Sequence, residues 1–340
     1  VHVDVLETAC EWSAEDVRDP ARWTEQLSAA EIAELEAAIA RARDRSSDLL
    51  DLGKADFPLP TLGPRLRAIE TELMDGRGFV LIRGLPRERW TNDDMCLAYW
   101  GIGAHLGKPW PQNAKGHVLG DVTDQGKQPG DPTARGNELG QIGLDYHCDG
   151  SDLVGLLCLQ TGVEGGLSAV CNSVALHNRL VRERPELAAE LYQPQPYDYR
   201  GEQPAGKPAW YSMPVFTRHG DRLFVRLIRP YILASQRHAE APRLTDKALE
   251  ALTWMQETAE SGRYAVTMDF RPGDMQFINN YHVLHGRTPY RDDRAAGRVR
   301  HLKRLWLETD LLADRPSIFT NRMGSHWAKK LSVSRLDAAS

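Results

Sequence analysis

The chain has 340 residues, 41% hydrophobic and 26% charged, with a formal net charge of -5. Those proportions suit a globular protein with a sizeable core, and the acidic balance argues against nucleic acid as a partner. Five cysteines form an odd set without a Cys-x-x-Cys pair. Reduced thiols and a cytoplasmic setting are therefore expected.

Helices are expected first. Ser28 and Glu31 have capping-box spacing ahead of Ile32, Leu35 and Ile39 on one face. A second helix is predicted from about Gly63 to Met74, ending near Gly76, and a third from the acidic start Thr91 to Asp94. Between them Gly78 to Gly84 reads as a short β-branched strand. From Gly116 onward short strands dominate: 117–122, 155–160, 167–171, 213–217, 223–228, 264–270, 275–279 and 303–308. Helices interrupt this series at about 173–184 and 245–260. Segments 124–140 and 193–210 are loops by composition, and loops of that length in a compact domain are more often lids or binding loops than linkers. The apolar runs are too short to cross a membrane, and Val1 to Asp4 does not read as a signal peptide. The economical arrangement is one catalytic domain: a helical portion over 1–77, a β core over 78–310 and a C-terminal extension over 311–340.

His147, Cys148 and Asp149, followed far downstream by His285 and Arg300, carry the chemistry. Two imidazoles and one carboxylate can occupy one face of an octahedral Fe(II), leaving three positions for an organic acid and O2. A guanidinium beyond the last ligand could grip the far carboxylate of a dicarboxylate co-substrate through paired charge-assisted bonds. A His-x-acid triplet is weak by itself, since about 1.5 are expected by chance in this composition. Three further ones, His2/Asp4, His219/Asp221 and His238/Glu240, sit at a terminus, in a hairpin turn and in a charged segment, where solvated polar residues belong. His147 instead lies between a long loop and the apolar run Leu153 to Leu159, and in an extended backbone His147 and Asp149 point the same way. Spacing leaves both His282 and His285 open as the third ligand, with His285 favoured because Gly286 lets the chain turn after it.

The motifs Tyr146-His147-Cys148-Asp149-Gly150, Gly165-Gly166-Leu167-Ser168, Asn280 to Arg287 and Arg300 to Leu307 stand in one order along the chain. Together they resemble the taurine dioxygenase-like (TauD/TfdA) branch of the Fe(II)/2-oxoglutarate-dependent dioxygenases. The resemblance spans about Gly78 to Leu307. It implies a mainly β fold with added helices, a distorted double-stranded β-helix or jelly roll. It implies His147, Asp149 and His285 as iron ligands, with Asn280 matching the asparagine five residues before the distal histidine. It places 2-oxoglutarate on Arg300 and Ser168, and puts Arg304 near the substrate or the other end of the co-substrate. Arg287 and Arg298 are competitors for the anion role, Arg298 reading as surface charge. The implied cofactors are Fe(II), 2-oxoglutarate and O2, with succinate and CO2 as co-products. Because Asp149 is present, hydroxylation is expected rather than halogenation, with desaturation, epoxidation and cyclisation open.

Gln141, Asp145 and Asn280 are the polar candidates for holding the substrate, expected to be a small anionic or zwitterionic molecule of specialised metabolism. Partners other than that molecule are not called for, beyond a homo-oligomer. The rivals are a 2-oxoglutarate-independent metal protein and a catalytically silent protein on the same jelly roll.

Overall fold

The computed structural model describes residues 3–128, 135–320 and 331–333. The expected helices form where their caps are. The Ser28 hydroxyl accepts from the Glu31 N–H at 3.2 Å and the Glu31 carboxylate accepts from the Ser28 N–H at 2.8 Å, opening the helix Ala29–Arg45. Thr91 and Asp94 make the same reciprocal box at the head of Asn92–Leu106. The second helix runs Leu62–Asp75. Among the described residues no helix is long and apolar enough to cross a membrane.

Two sheets make the β core. The larger has Met275–Asn279, Leu153–Gln160 and His301–Glu308 at its centre, all antiparallel, with Phe79–Arg83 and Thr24–Gln26 on one flank and Leu119–Val122 and Lys108–Pro109 on the other. The smaller has the order Ala265–Met268, Ser168–Asn172, Val283–Arg287, Leu144–His147. Alternation along the larger sheet's strands divides their side chains between two cores. Val154, Cys158, Phe79, Leu81, Ile278 and Leu302 meet Val170, Met268 and Val283 of the smaller sheet. Leu153, Leu157, Val80, Ile82 and Phe277 meet Leu35, Leu66 and Tyr99 of the N-terminal helices. Two facing sheets with helices on the outside of one is the distorted jelly roll that the motifs implied.

Local departures from the sequence expectation have local causes. The segment expected as one strand over 213–217 is two, Trp210–Pro214 and Phe216–His219, because Pro214 lacks an N–H to continue the ladder. The strand expected over 223–228 stops at Val225, and the helix Arg229–Ala234 follows with Pro230 in its first turn. Pro194–Asp198 pairs with Trp210–Pro214, so the loop expected over 193–210 begins as a strand. Leu144–His147 and Val283–Arg287 were not among the expected strands; His285, Gly286 and Arg287 have little intrinsic β preference, and their pairing partners hold them extended.

Candidate active site

The smaller sheet brings distant pieces of chain together. His147 and His285 are directly paired residues of neighbouring antiparallel strands, so their side chains leave the same face. Gly286 permits this approach, since a Cβ there would lie 2.7 Å from the Leu144 carbonyl oxygen. Asp149 follows two residues after His147. One ligand atom from each of His147, Asp149 and His285 lies within 4.8 Å of the others. Their closest approaches to the carboxylate are 3.9 Å from His147 Nε2 and 3.6 Å from His285 Nε2. His282 points elsewhere, into a buried contact of 3.3 Å with the Asn279 amide, and takes no part in the cluster.

The surroundings prepare these groups as metal ligands. His147 Nδ1 lies 2.7 Å from the Asp145 carbonyl oxygen, which calls for a proton on Nδ1 and leaves the Nε2 lone pair facing Asp149. Burial and the neighbouring His285 ring push the His147 imidazole down to about 4, so it stays neutral at physiological pH. Burial alone would raise the Asp149 carboxyl; Arg304 and the two imidazoles outweigh it and hold the group well below the usual carboxylate range. Asp149 Oδ2 accepts from Arg304 Nη1 at 3.2 Å and from Trp306 Nε1 at 2.8 Å, and this leaves Oδ1 to bind an ion. Two imidazoles and one ionised carboxylate are a donor set that fits Fe(II) with open positions.

A second group of residues fits a dicarboxylic acid. Arg300 is 4% exposed and Arg287 8%. Their guanidinium groups lie 5.0 and 4.6 Å from the centre of the Tyr290 ring. Arg300 donates to the Gly166 carbonyl at 3.1 Å, and Arg287 donates to the carbonyls of Leu139 and Ile142 at 2.6 and 3.1 Å. Arg300 Nη1 and Arg287 Nε and Nη1 are buried without a hydrogen-bond partner. Burial and the Arg300 charge push the Arg287 guanidinium down to about 10. Two buried cations with idle donors form a site for an incoming carboxylate. Gly166 has φ 72°, and a Cβ at that position would meet Arg300 Nε at 2.6 Å, so only glycine leaves room for this guanidinium.

Both groups of residues open into one cavity of about 470 Å³. Ser168 lies in its wall, 3% exposed, its hydroxyl donating to Gln276 at 3.2 Å, and Asp145 lines it as well. Arg304 also lines it, braced by Gln112 at 2.8 Å as well as by Asp149. Gln141 is exposed and lies outside this wall, although its neighbours Ile142 and Gly143 are in it. Asn280 does not reach the cavity either. It is 1% exposed, accepts from the Asp149 N–H at 2.8 Å and donates to the carbonyls of Asp149 and Ser151 at 2.8 and 2.7 Å. Its amide fixes the backbone that carries a ligand. Of the other triplets, His219 and Asp221 lie at an exposed hairpin end, and His238 pairs with Asp198 at 3.3 Å. His2 lies outside the described residues.

The wall also holds Arg135, Arg200 and Arg226, none of which the sequence singles out. Arg135 and Arg200 fall in the two segments expected as loops, which is the one signal that could have pointed to them. Arg226 follows a strand whose pattern reads as ordinary core.

The family model "Taurine catabolism dioxygenase TauD, TfdA family" matches residues 44–306. FR-33289 synthase of Streptomyces rubellomurinus (strain ATCC 31215) is 31% identical over 327 residues, 94% of this chain and 95% of that protein. Two solved structures share the fold with a TM-score of 0.65. One is an asparagine oxygenase in complex with Fe(II), 2S,3S-3-hydroxyasparagine and succinate, 21% identical, covering 87% of this chain and 98% of that one. The other is the non-heme iron oxygenase OrfP in complex with Fe and alpha-ketoglutaric acid, 20% identical, covering 91% and 99%.

Proposed function

Because the chain belongs to the taurine catabolism dioxygenase (TauD/TfdA) family, we propose that His147, Asp149 and His285 hold its ferrous ion and that Arg300 receives the distal carboxylate of 2-oxoglutarate. The protein is a 2-oxoglutarate-dependent non-haem iron dioxygenase. When bound, iron and 2-oxoglutarate supply O2 activation coupled to oxidative decarboxylation of the co-substrate to succinate and CO2. The chain's own residues bind, orient and protect. Asp145 fixes the His147 tautomer through its carbonyl. Trp306 and Arg304 hold the Asp149 carboxylate in place through Oδ2. Asn280 locks the turn that carries Asp149. Ser168 lies across the strand pair from Arg287, where its hydroxyl oxygen can accept while the two guanidinium groups hold charge.

The observation that carries this assignment is the convergence of three ligand atoms within 4.8 Å in the same cavity as two buried arginines with idle donors. The whole chain acts as one catalytic domain, with the N-terminal helices bracing the larger sheet from outside. The substrate is a small molecule, for which a cavity of about 470 Å³ has room. Hydroxylation is the expected outcome, and Asp145 is the polar residue of the wall nearest the ligand set along the chain. The assignment is tested by anaerobic titration of Fe(II)-loaded protein with 2-oxoglutarate. One equivalent should bind and produce a visible absorption band, absent when either metal or co-substrate is left out. Coupled turnover of a substrate panel should then release succinate in step with product.

A further inference from the structure

His147 ends a strand of the smaller sheet and Leu153 begins one of the larger, so the chain changes sheets within residues 148–152. Asp149, the carboxylate of the ligand cluster, sits in that crossing. A crossing has no ladder of its own, so its buried backbone groups depend on the side chains and carbonyls around it. Asn280 holds Asp149 and Ser151. The far end of the crossing rests on Asp152.

Asp152 is 0% exposed, and its carboxylate is gripped from two directions. Oδ1 accepts from the Tyr281 hydroxyl at 2.7 Å. Oδ2 accepts from the Thr309 N–H at 3.0 Å and from Arg315 Nη2 at 2.5 Å. The Arg315 side chain is buried too, and it donates further to the Thr309 carbonyl at 3.0 Å and the Glu308 carboxylate at 2.9 Å. The Asp152 backbone is tied as well: its N–H donates to the Leu307 carbonyl at 3.1 Å, and its carbonyl accepts from the Asn280 N–H at 2.9 Å. A carboxylate held wholly out of water is costly unless a cation and donors face it, and a buried polar network with its partners in place fixes one arrangement. Three pieces of chain meet here. One is the crossing that carries Asp149, and the second is the turn, with Tyr281, that leads into the His285 strand. The third is the C-terminal segment with Arg315, which lies past residue 306, where the family match ends. Phe319 of that segment packs on the Tyr281 ring at 5.2 Å.

Resting on the iron assignment above, we propose that Asp152 is a positioning residue of the metal site, clamped by Tyr281 and, from beyond the family core, by Arg315. It lies outside the wall of the cavity that holds the ligands. Its effect is indirect: it fixes where the crossing joins the larger sheet, and so where the Asp149 carboxylate stands relative to His147 and His285.

The test titrates the whole chain anaerobically with Fe(II) and, in parallel, with Co(II), whose visible absorption reports the geometry of its ligands. Arg315→Gln removes the cation of the clamp, and Tyr281→Phe removes one hydroxyl while keeping the ring. Arg83→Gln is the control. It breaks another buried ion pair, Arg83–Asp274 at 2.7 Å, at the end of the strand Met275–Asn279 remote from Asn280. Arg315→Gln should weaken Fe(II) binding by about tenfold or more and Tyr281→Phe by about threefold or more. At saturating Co(II) both should alter the positions or intensities of the visible bands. Arg83→Gln should lower the melting temperature and keep the parent's metal affinity and spectrum. Tyr281→Phe changes a single oxygen, so it carries the test even where Arg315→Gln does not fold. Parent-like Fe(II) affinity and Co(II) spectrum in either folded clamp variant, or an equal loss in Arg83→Gln, shows a contact that serves stability alone and overturns the proposal. A parent chain that binds neither ion is a separate result and overturns the iron assignment instead.

Discussion

His147 and His285 face each other across two antiparallel strands, their ring centres 4.3 Å apart, although 138 positions separate them in sequence. The pairing places both imidazoles beside Asp149, while His282, in the turn just ahead of the strand Val283–Arg287, packs against the Asn279 amide. His285→Ala should therefore abolish stoichiometric Fe(II) binding. His282→Ala should keep it, at a stability cost of about 1–3 kcal/mol for the buried amide partner it strands. Anaerobic iron titration with thermal melts on both variants separates the two effects. Retention of iron by His285→Ala, or its loss in a folded His282→Ala, would mean the wrong histidine has been chosen.

Asn280 illustrates support for a metal site by a residue that does not touch it. Its amide makes three hydrogen bonds to the backbone of Asp149 and Ser151. Asn280→Ala should lower Fe(II) affinity by roughly 10–100-fold, the range found when partners of metal ligands are removed. The melting temperature should fall with it. Once iron is saturating, the affinity for 2-oxoglutarate should be little changed. A variant with normal iron affinity and weakened substrate binding would return Asn280 to the substrate.

Arg300 and Arg287 both lie against the Tyr290 ring, line the same cavity and carry donors without a partner. Losing a charge-assisted pair costs about 2–5 kcal/mol in buried settings, so Arg300→Gln should weaken 2-oxoglutarate by on the order of 30-fold or more. Arg287→Gln should weaken it less, because part of its hydrogen bonding already serves Leu139 and Ile142. Arg298→Gln should do nothing: Arg298 is exposed enough to be solvated and donates to the Gly162 carbonyl at 3.2 Å. Equilibrium binding of 2-oxoglutarate to the three variants, loaded with iron, checks the order.

What could be read from the sequence was mostly what is encoded locally. His147 and Asp149 are two residues apart in extended chain, so their common direction follows from backbone geometry alone. The capping boxes at Ser28 and Thr91 are local too. The choice between His282 and His285 was not local, because it depends on which strand pairs with Val283–Arg287, and the family motif rather than spacing decided it. Asn280 looked like a substrate ligand because a polar side chain in a functional motif carries no mark of burial. Arg135, Arg200 and Arg226 come from three separate segments, and nothing in their neighbourhoods signals that the fold gathers them around one cavity.

Two histidines away from the metal position give the protein an acid limit. Burial pushes His177 and His282 down to about 4, against an ordinary value near 6.5. The folded state keeps both neutral, while the unfolded chain takes up protons as pH falls through 6.5. Their contribution is thus fully present above about pH 6.5 and is lost as pH drops toward 4, by roughly tenfold in the folding constant per histidine per pH unit. His177 Nδ1 donates to the Asn178 side-chain oxygen at 3.0 Å and Nε2 lies 2.8 Å from the Tyr192 hydroxyl, so a proton added at Nε2 must turn that hydroxyl's hydrogen away. Urea unfolding should show a clear loss of stability between pH 7.5 and pH 5. In His177→Gln the protein should be less stable at pH 7.5, yet the loss between the two pH values should be smaller, because one proton-binding group has gone. A pH slope identical in the variant and the parent would show that His177 is not among the groups that set it.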